Sequence, residues 1–199
     1  MVEHVRGVGV AGLVAVWVVV ATEVVFSVWS WFYLVTTDEG PGAVVTGVVD
    51  AVGGVSRVAR PVAAILIVLW LWRARSNAER VPGRHRYGRG WAVWGWLPVV
   101  GLWVPRRVVA DVWAACAPDG EPRAAVHRWW VLWLLYDLGG HAYFVLTLLT
   151  IQDPETSRTV VRVAAVLLPV FAAGAAVFLT VVVRRISGWQ SVETVERVA

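Results

Sequence analysis

Lysine is absent from this chain, and cysteine and methionine occur once each. The lone Cys116 excludes an intrachain disulfide and any Cys-x-x-Cys site, and it reads as a small apolar residue rather than a nucleophile. Charge is scarce: 16% of residues are charged and 58% hydrophobic, against about 25% and about 45–50% in soluble domains. With a mean hydropathy of +0.65, this balance excludes an ordinary soluble domain. Also missing are a phosphate-binding P-loop, zinc-type His/Cys spacing, His-Glu-x-x-His and Gly-x-Ser-x-Gly, the usual signs of nucleotide, metal and acyl-transfer chemistry. The chain is therefore expected to be non-enzymatic, with no metal and no cofactor.

What is plentiful is arginine beside tryptophan. All 18 basic residues are arginines, and the pI is near 10.0. Such a balance can signal nucleic acid, but these arginines cluster beside apolar runs. The expected partners are membrane lipids, anionic ones above all, or another membrane protein, and not nucleic acid. Seven of the 14 tryptophans fall between Trp70 and Trp113. Indole rings settle at headgroup depth while guanidinium groups reach water or phosphate, so this stretch reads as a membrane–water boundary.

Four apolar runs predict four spans. Gly7 to Val35 is almost unbroken and too long for a signal-peptide core; Trp29, Trp31, Phe32 and Tyr33 form an aromatic belt at its far end. Gly7, Gly9 and Gly12 suit close helix packing near its start. Thr36 to Ser56 carries Asp38, Glu39 and Asp50 and no arginine, which predicts a non-cytoplasmic loop with a short interfacial helix over Ala43–Val52. A second span over Val58–Trp72 would rise about 22 Å, short of the roughly 30 Å hydrocarbon thickness, so its flanking arginines would snorkel. Trp129–Thr150 and Val160–Val183 supply the third and fourth spans, the last with a small-residue face over Phe171–Ala176. Arg184 and Arg185 are expected to end it, leaving a polar cytoplasmic tail over 184–199.

Between the second and third spans lies the Trp/Arg region. Arg73–Arg89 is cytoplasmic by the positive-inside rule. Trp91–Val104 is short and holds Gly95, Pro98 and Gly101, so it predicts a re-entrant or interfacial element. Pro105 opens an amphipathic helix with Val108, Val109, Val112, Trp113 and Cys116 on one face. Four spans place only Arg57, Arg60, Arg158 and Arg162 on the outer side, whereas a fifth at Trp91–Val104 would move Arg106, Arg107, Arg123, Arg128, Arg184 and Arg185 outward. The expected architecture is thus an all-α integral membrane bundle, one domain over 1–199, with both termini cytoplasmic.

Two groups of residues stand out. Arg73, Arg75 and Asn77, with Trp91, Trp96, Trp103 and Trp113, form a boundary element suited to a lipid headgroup or a partner's acidic face. Topology and snorkelling account for the arginines equally well, and Asn77 also suits a helix C-cap. Within the spans lie Glu23, Asp137 and His141, and a charge there costs about 2.5–3.5 kcal/mol. Asp137 and His141 are four apart on one face, with Gly139 and Gly140 leaving room beside them. The three could form a proton or cation path in a small transporter; a polar cluster that sets helix register is the simpler reading. His85 and Asp111 are the candidate acid–base groups for interfacial lipid chemistry, the weakest of the readings.

At Leu71-Trp-Arg-Ala-Arg-Ser-Asn-Ala78, Gly90-Trp-Ala-Val-Trp-Gly-Trp-Leu-Pro98 and Leu102-Trp-Val-Pro-Arg106, the chain resembles the bacterial domain-of-unknown-function family 4328. The likeness covers about Val58 to Thr180 and departs at Gly101, where that family usually has Asn, and at Arg106, where it usually has Tyr. It implies a polytopic membrane domain and no particular activity.

Overall fold

Apolar runs of this length fold as helices because lipid leaves backbone polar groups no other partners. A computed structural model describes residues 5–36, 43–80, 86–97, 99–119 and 121–196, with the backbone alone at 33–36, 43–46 and 192–196. Its helices are α1 (Arg6–Thr36), α2 (Ala43–Ala78), α3 (Trp91–Trp94), α4 (Val104–Cys116), α5 (Ala124–Leu149) and α6 (Pro154–Glu196), with a 3₁₀ turn at Val100–Leu102. No strand occurs among the described residues. Helices α1, α2, α5 and α6 are long and apolar enough to cross a membrane, which makes this a multi-pass membrane protein.

Two boundaries differ from expectation. The interfacial helix expected over Ala43–Val52 and the short span over Val58–Trp72 are one helix of 36 residues, about 54 Å long. Pro61 lacks an N–H and forgoes one helical bond, yet α1 packs along α2 and holds it continuous. Arg57 and Arg60 are therefore interior to a helix rather than at its end. At the other end of the chain, α6 does not stop at Arg184 and Arg185 but runs on to Glu196. Ile186, Ser187 and Gln190 are buried, so the first residues of the expected polar tail are a packed extension of the fourth span. The acidic loop residues Asp38 and Glu39 lie outside the described residues.

Trp91–Val104 forms no span: it is the short α3, a turn and the 3₁₀ segment. Pro105 sits in the first turn of α4, where its missing N–H costs no helical bond. Val108, Val109, Val112 and Trp113 on the expected face are all fully buried. Each such valine withdrawn from water contributes about 1.5–3 kcal/mol.

The spans pack in an open order. Helix α1 lies along both α2 and α6, and α6 lies along α5, but α2 and α5 do not pack along their lengths. A Cβ at Gly9 would stand 2.8 Å from the Trp70 ring and 2.9 Å from Val183, and one at Gly12 would stand 2.9 Å from Ile67. These two glycines let α1 seat against α2; Gly7 meets nothing. The densest burial is at the arginine-rich end, where Trp70, Leu71, Ala74, Val112, Trp113, Val182 and Ile186 meet.

Candidate functional site

The arginine-rich end is built on the last turns of α2. Arg75 is fully buried; its Nε donates to the Tyr87 backbone carbonyl at 2.7 Å, its Nη2 donates to the same oxygen, and a Glu79 carboxylate oxygen lies 4.0 Å away. One guanidinium thus ties the return of the chain to α2. Asn77 Nδ2 donates to Gln190 Oε1 at 3.5 Å, and Gln190 Nε2 donates to the Ala74 carbonyl at 2.9 Å and to Cys116 Sγ at 3.3 Å. Trp113 meets Trp189 edge-on at 4.8 Å, with Arg185 5.9 Å from its ring centre. Arg75, Asn77 and Trp113 are therefore interior groups that join α2, α4 and α6.

The other boundary residues lie further out. Arg73 is half-buried, and Trp91 and Trp103 are each 44% exposed. Trp96 is half-buried: its Nε1 donates to the Ala92 carbonyl at 3.1 Å, and its ring meets Trp133 at 5.6 Å and Trp130 at 6.4 Å. Trp94, Leu97, Val99 and Leu102 join Trp91 and Trp103 on the surface, Trp94 at 64% and Val99 at 67% exposure. Val99 has φ 69° and ψ −58°, a strained conformation for a β-branched residue. Arg86, Arg89 and Arg107 are exposed beside this turn; Arg89 lies 5.8 Å from the Trp72 ring centre. The sequence pattern singled out tryptophans but not Leu97, Val99 and Leu102, whose exposure depends on which way the turn folds. It also missed Gln190 and Ser187, the latter accepting from Trp70 Nε1 at 3.1 Å, because both follow arginines expected to end the helix. His85 lies outside the described residues, and Asp111 accepts the Tyr87 N–H at 3.2 Å.

Within the spans, Arg60 Nη2 donates to Glu23 Oε1 in an ion pair, and the Tyr136 hydroxyl donates to the same oxygen at 3.1 Å. Arg60 Nε donates to Ser56 Oγ at 3.2 Å. Glu23 of α1 is thus joined to α2 and α5 through Arg60 and Tyr136, not through Asp137 or His141. Neither Arg60 nor Tyr136 carried a sequence signal as Glu23's partner, because their pairing depends on how α1, α2 and α5 pack. Asp137 and His141 do meet, with the ring 3.8 Å from the carboxylate. His141 Nδ1 lies 2.7 Å from Asp137's own backbone carbonyl, and the His141 side chain is 77% exposed.

A cavity of about 420 Å³ occupies the gap between α2 and α5. It is lined by aliphatic residues of α1, α2 and α6, by Arg60, Tyr136 and Asp137, and by Trp96, Trp129 and Trp133. At the end of the bundle away from the arginines, Asp153 precedes α6 and accepts the Thr156 hydroxyl at 2.5 Å and the Thr156 N–H at 3.3 Å. These bonds, the hydroxyl's first, hold the Asp153 carboxyl below the usual carboxylate range.

With this geometry in place, residues 43–188 match the family described as Domain of unknown function (DUF4328). The chain belongs to that family. The DUF4328 region is wider than the resemblance over Val58–Thr180: it starts with the first residue of α2 and reaches Gly188 in α6. It holds Arg60, Trp96, Tyr136 and Asp137, while Glu23, which completes the ion pair, lies before it. No curated protein and no solved structure matches the chain.

Proposed function

We propose that this DUF4328 protein is a non-enzymatic membrane component whose arginine-rich end faces the cytoplasm and engages anionic lipid there. On this reading both termini are cytoplasmic, and the turn between α3 and α4 lies in the inner leaflet. One observation carries it: Trp91, Trp94, Leu97, Val99, Leu102 and Trp103 are all exposed along α3 and the residues that lead to α4, flanked in sequence by Arg86, Arg89, Arg106 and Arg107. So many adjacent apolar side chains belong in an interface rather than in water. The bilayer is the neighbour that four spans already guarantee. Each arginine near an anionic surface adds about 1 kcal/mol of attraction.

The test is lipid retention by the purified full chain, extracted from mixed phosphatidylglycerol and phosphatidylcholine bilayers and read by mass spectrometry. Enrichment of phosphatidylglycerol, lost in a Trp94→Ala, Trp103→Ala, Arg106→Ala, Arg107→Ala variant of unchanged helicity, is the expected result. Equal retention of the two lipids by the unaltered protein would remove the basis for the proposal.

A further inference from the structure

We propose that the cleft between α2 and α5 is a binding site for a lipophilic organic cation. Among the described residues, one carboxyl group at the cleft has no guanidinium within ion-pair distance. Glu23 and Arg60 neutralise one another in their ion pair, and the remaining Arg60 Nε is taken up by Ser56. That leaves Asp137, a residue of the cavity lining, whose carboxylate has His141 at 3.8 Å. The His141 ring faces away into the surroundings of the bundle and lies within hydrogen-bond distance of a backbone carbonyl. Two carboxyl groups, Glu23 and Asp137, and one guanidinium, Arg60, thus lie in or beside the cavity.

The rest of the lining suits the complementary cation. Trp96, Trp129, Trp133 and Tyr136 all border the cavity, and aromatic faces attract cations most strongly where water is excluded. Trp130 stacks on Trp133 at 4.8 Å and Trp96 meets the Trp133 ring edge-on, so the aromatic end is held rigid from behind. The remaining walls are aliphatic, which favours apolar substituents around the charge. At about 420 Å³ the space is within the usual range for small-molecule sites, roughly 300–1,000 Å³. Because α2 and α5 do not pack along their lengths, the ligand enters sideways from the bilayer, where lipophilic cations accumulate. A phospholipid chain would fill the aliphatic part but offer the Asp137 carboxyl group no partner.

The probe is tetraphenylphosphonium, titrated into the full chain in lipid nanodiscs and corrected against protein-free discs. Tetraphenylborate, of matching shape and opposite charge, is the comparison. The expected result is saturable phosphonium binding at least tenfold tighter than borate. Asp137→Asn should abolish that preference, and Trp133→Leu should weaken phosphonium binding several-fold. His141→Ala should leave it within about twofold. Equal binding of the two ions would overturn the proposal and identify the cleft as a lipid-filled groove, and so would an undiminished preference in Asp137→Asn. Should the Asn variant fail to fold, the comparison of the two ions on the unaltered protein still decides. Neither outcome bears on lipid retention at the arginine-rich end.

Discussion

Arg60 and Arg75 lie in the same helix, fifteen positions apart, and show how differently the two halves of this protein are held together. Arg75 is fully buried and spends its donors mainly on a backbone carbonyl, inside a layer where α2, α4 and α6 close on one another. Arg60 is 54% exposed and is met by a carboxylate from another helix, beside a cavity that the bundle leaves open. In the first half, burial of apolar side chains drives the packing. The second lies within helices long and apolar enough to cross a membrane, where apolar side chains gain little by turning inward and polar groups supply the specific contacts between helices. The packed end is thus built as a support, and the open half has room for a ligand.

The sharpest way to break that contrast is at Trp113. Its ring is fully buried against Trp189, so Trp113→Ala should cost about 3–5 kcal/mol, read as loss of folded yield and of thermal stability in detergent. Trp113→Phe should retain more of that stability, because the indole N–H has no hydrogen-bond acceptor among the described residues. If Ala were tolerated as well as Phe, the arginine-rich end would not be the packed layer described.

A smaller effect tests the open half. Glu23→Gln and Arg60→Gln should each destabilise by leaving the other charge unmatched in the membrane, and the double variant should cost less than the two added together. The coupling between groups in direct contact is about 0.5–3 kcal/mol. Simple additivity in thermal unfolding would mean that the ion pair does not hold α1 to α2.

The smallest effect lies at Asp153, at the far end of the bundle. Its carboxyl titrates below the usual range because the folded state bonds the ionised form, so it stabilises above the unfolded-state value, about 4. That contribution is lost as pH falls through the lowered folded value. Asp153→Asn keeps a capping side chain and should flatten the acid limb of the melting-temperature profile, with little change at neutral pH.

Much of this architecture was legible before any coordinates. The extent of α1, the failure of Trp91–Val104 to span and the buried face of α4 all follow from how single residues partition between water and lipid, or from helical period. Those are local properties, and a sequence carries them openly. Three features were not local. Nothing in Gly53, Gly54 and Arg57 announces that α2 runs straight through them; it does so because α1 lies alongside. Arg184 and Arg185 read as a stop, yet α6 continues because Ile186, Ser187 and Gln190 find α2 and α4 to pack against. Arg75 and Arg73 look alike in sequence, and the fold alone buries the first fully and the second by half. Hydrophobicity determined how many helices cross the membrane and where the boundary lies. Only the tertiary structure decided which charge faces which, because a partner for Glu23 thirty-seven residues away is a property of helix packing and not of either residue.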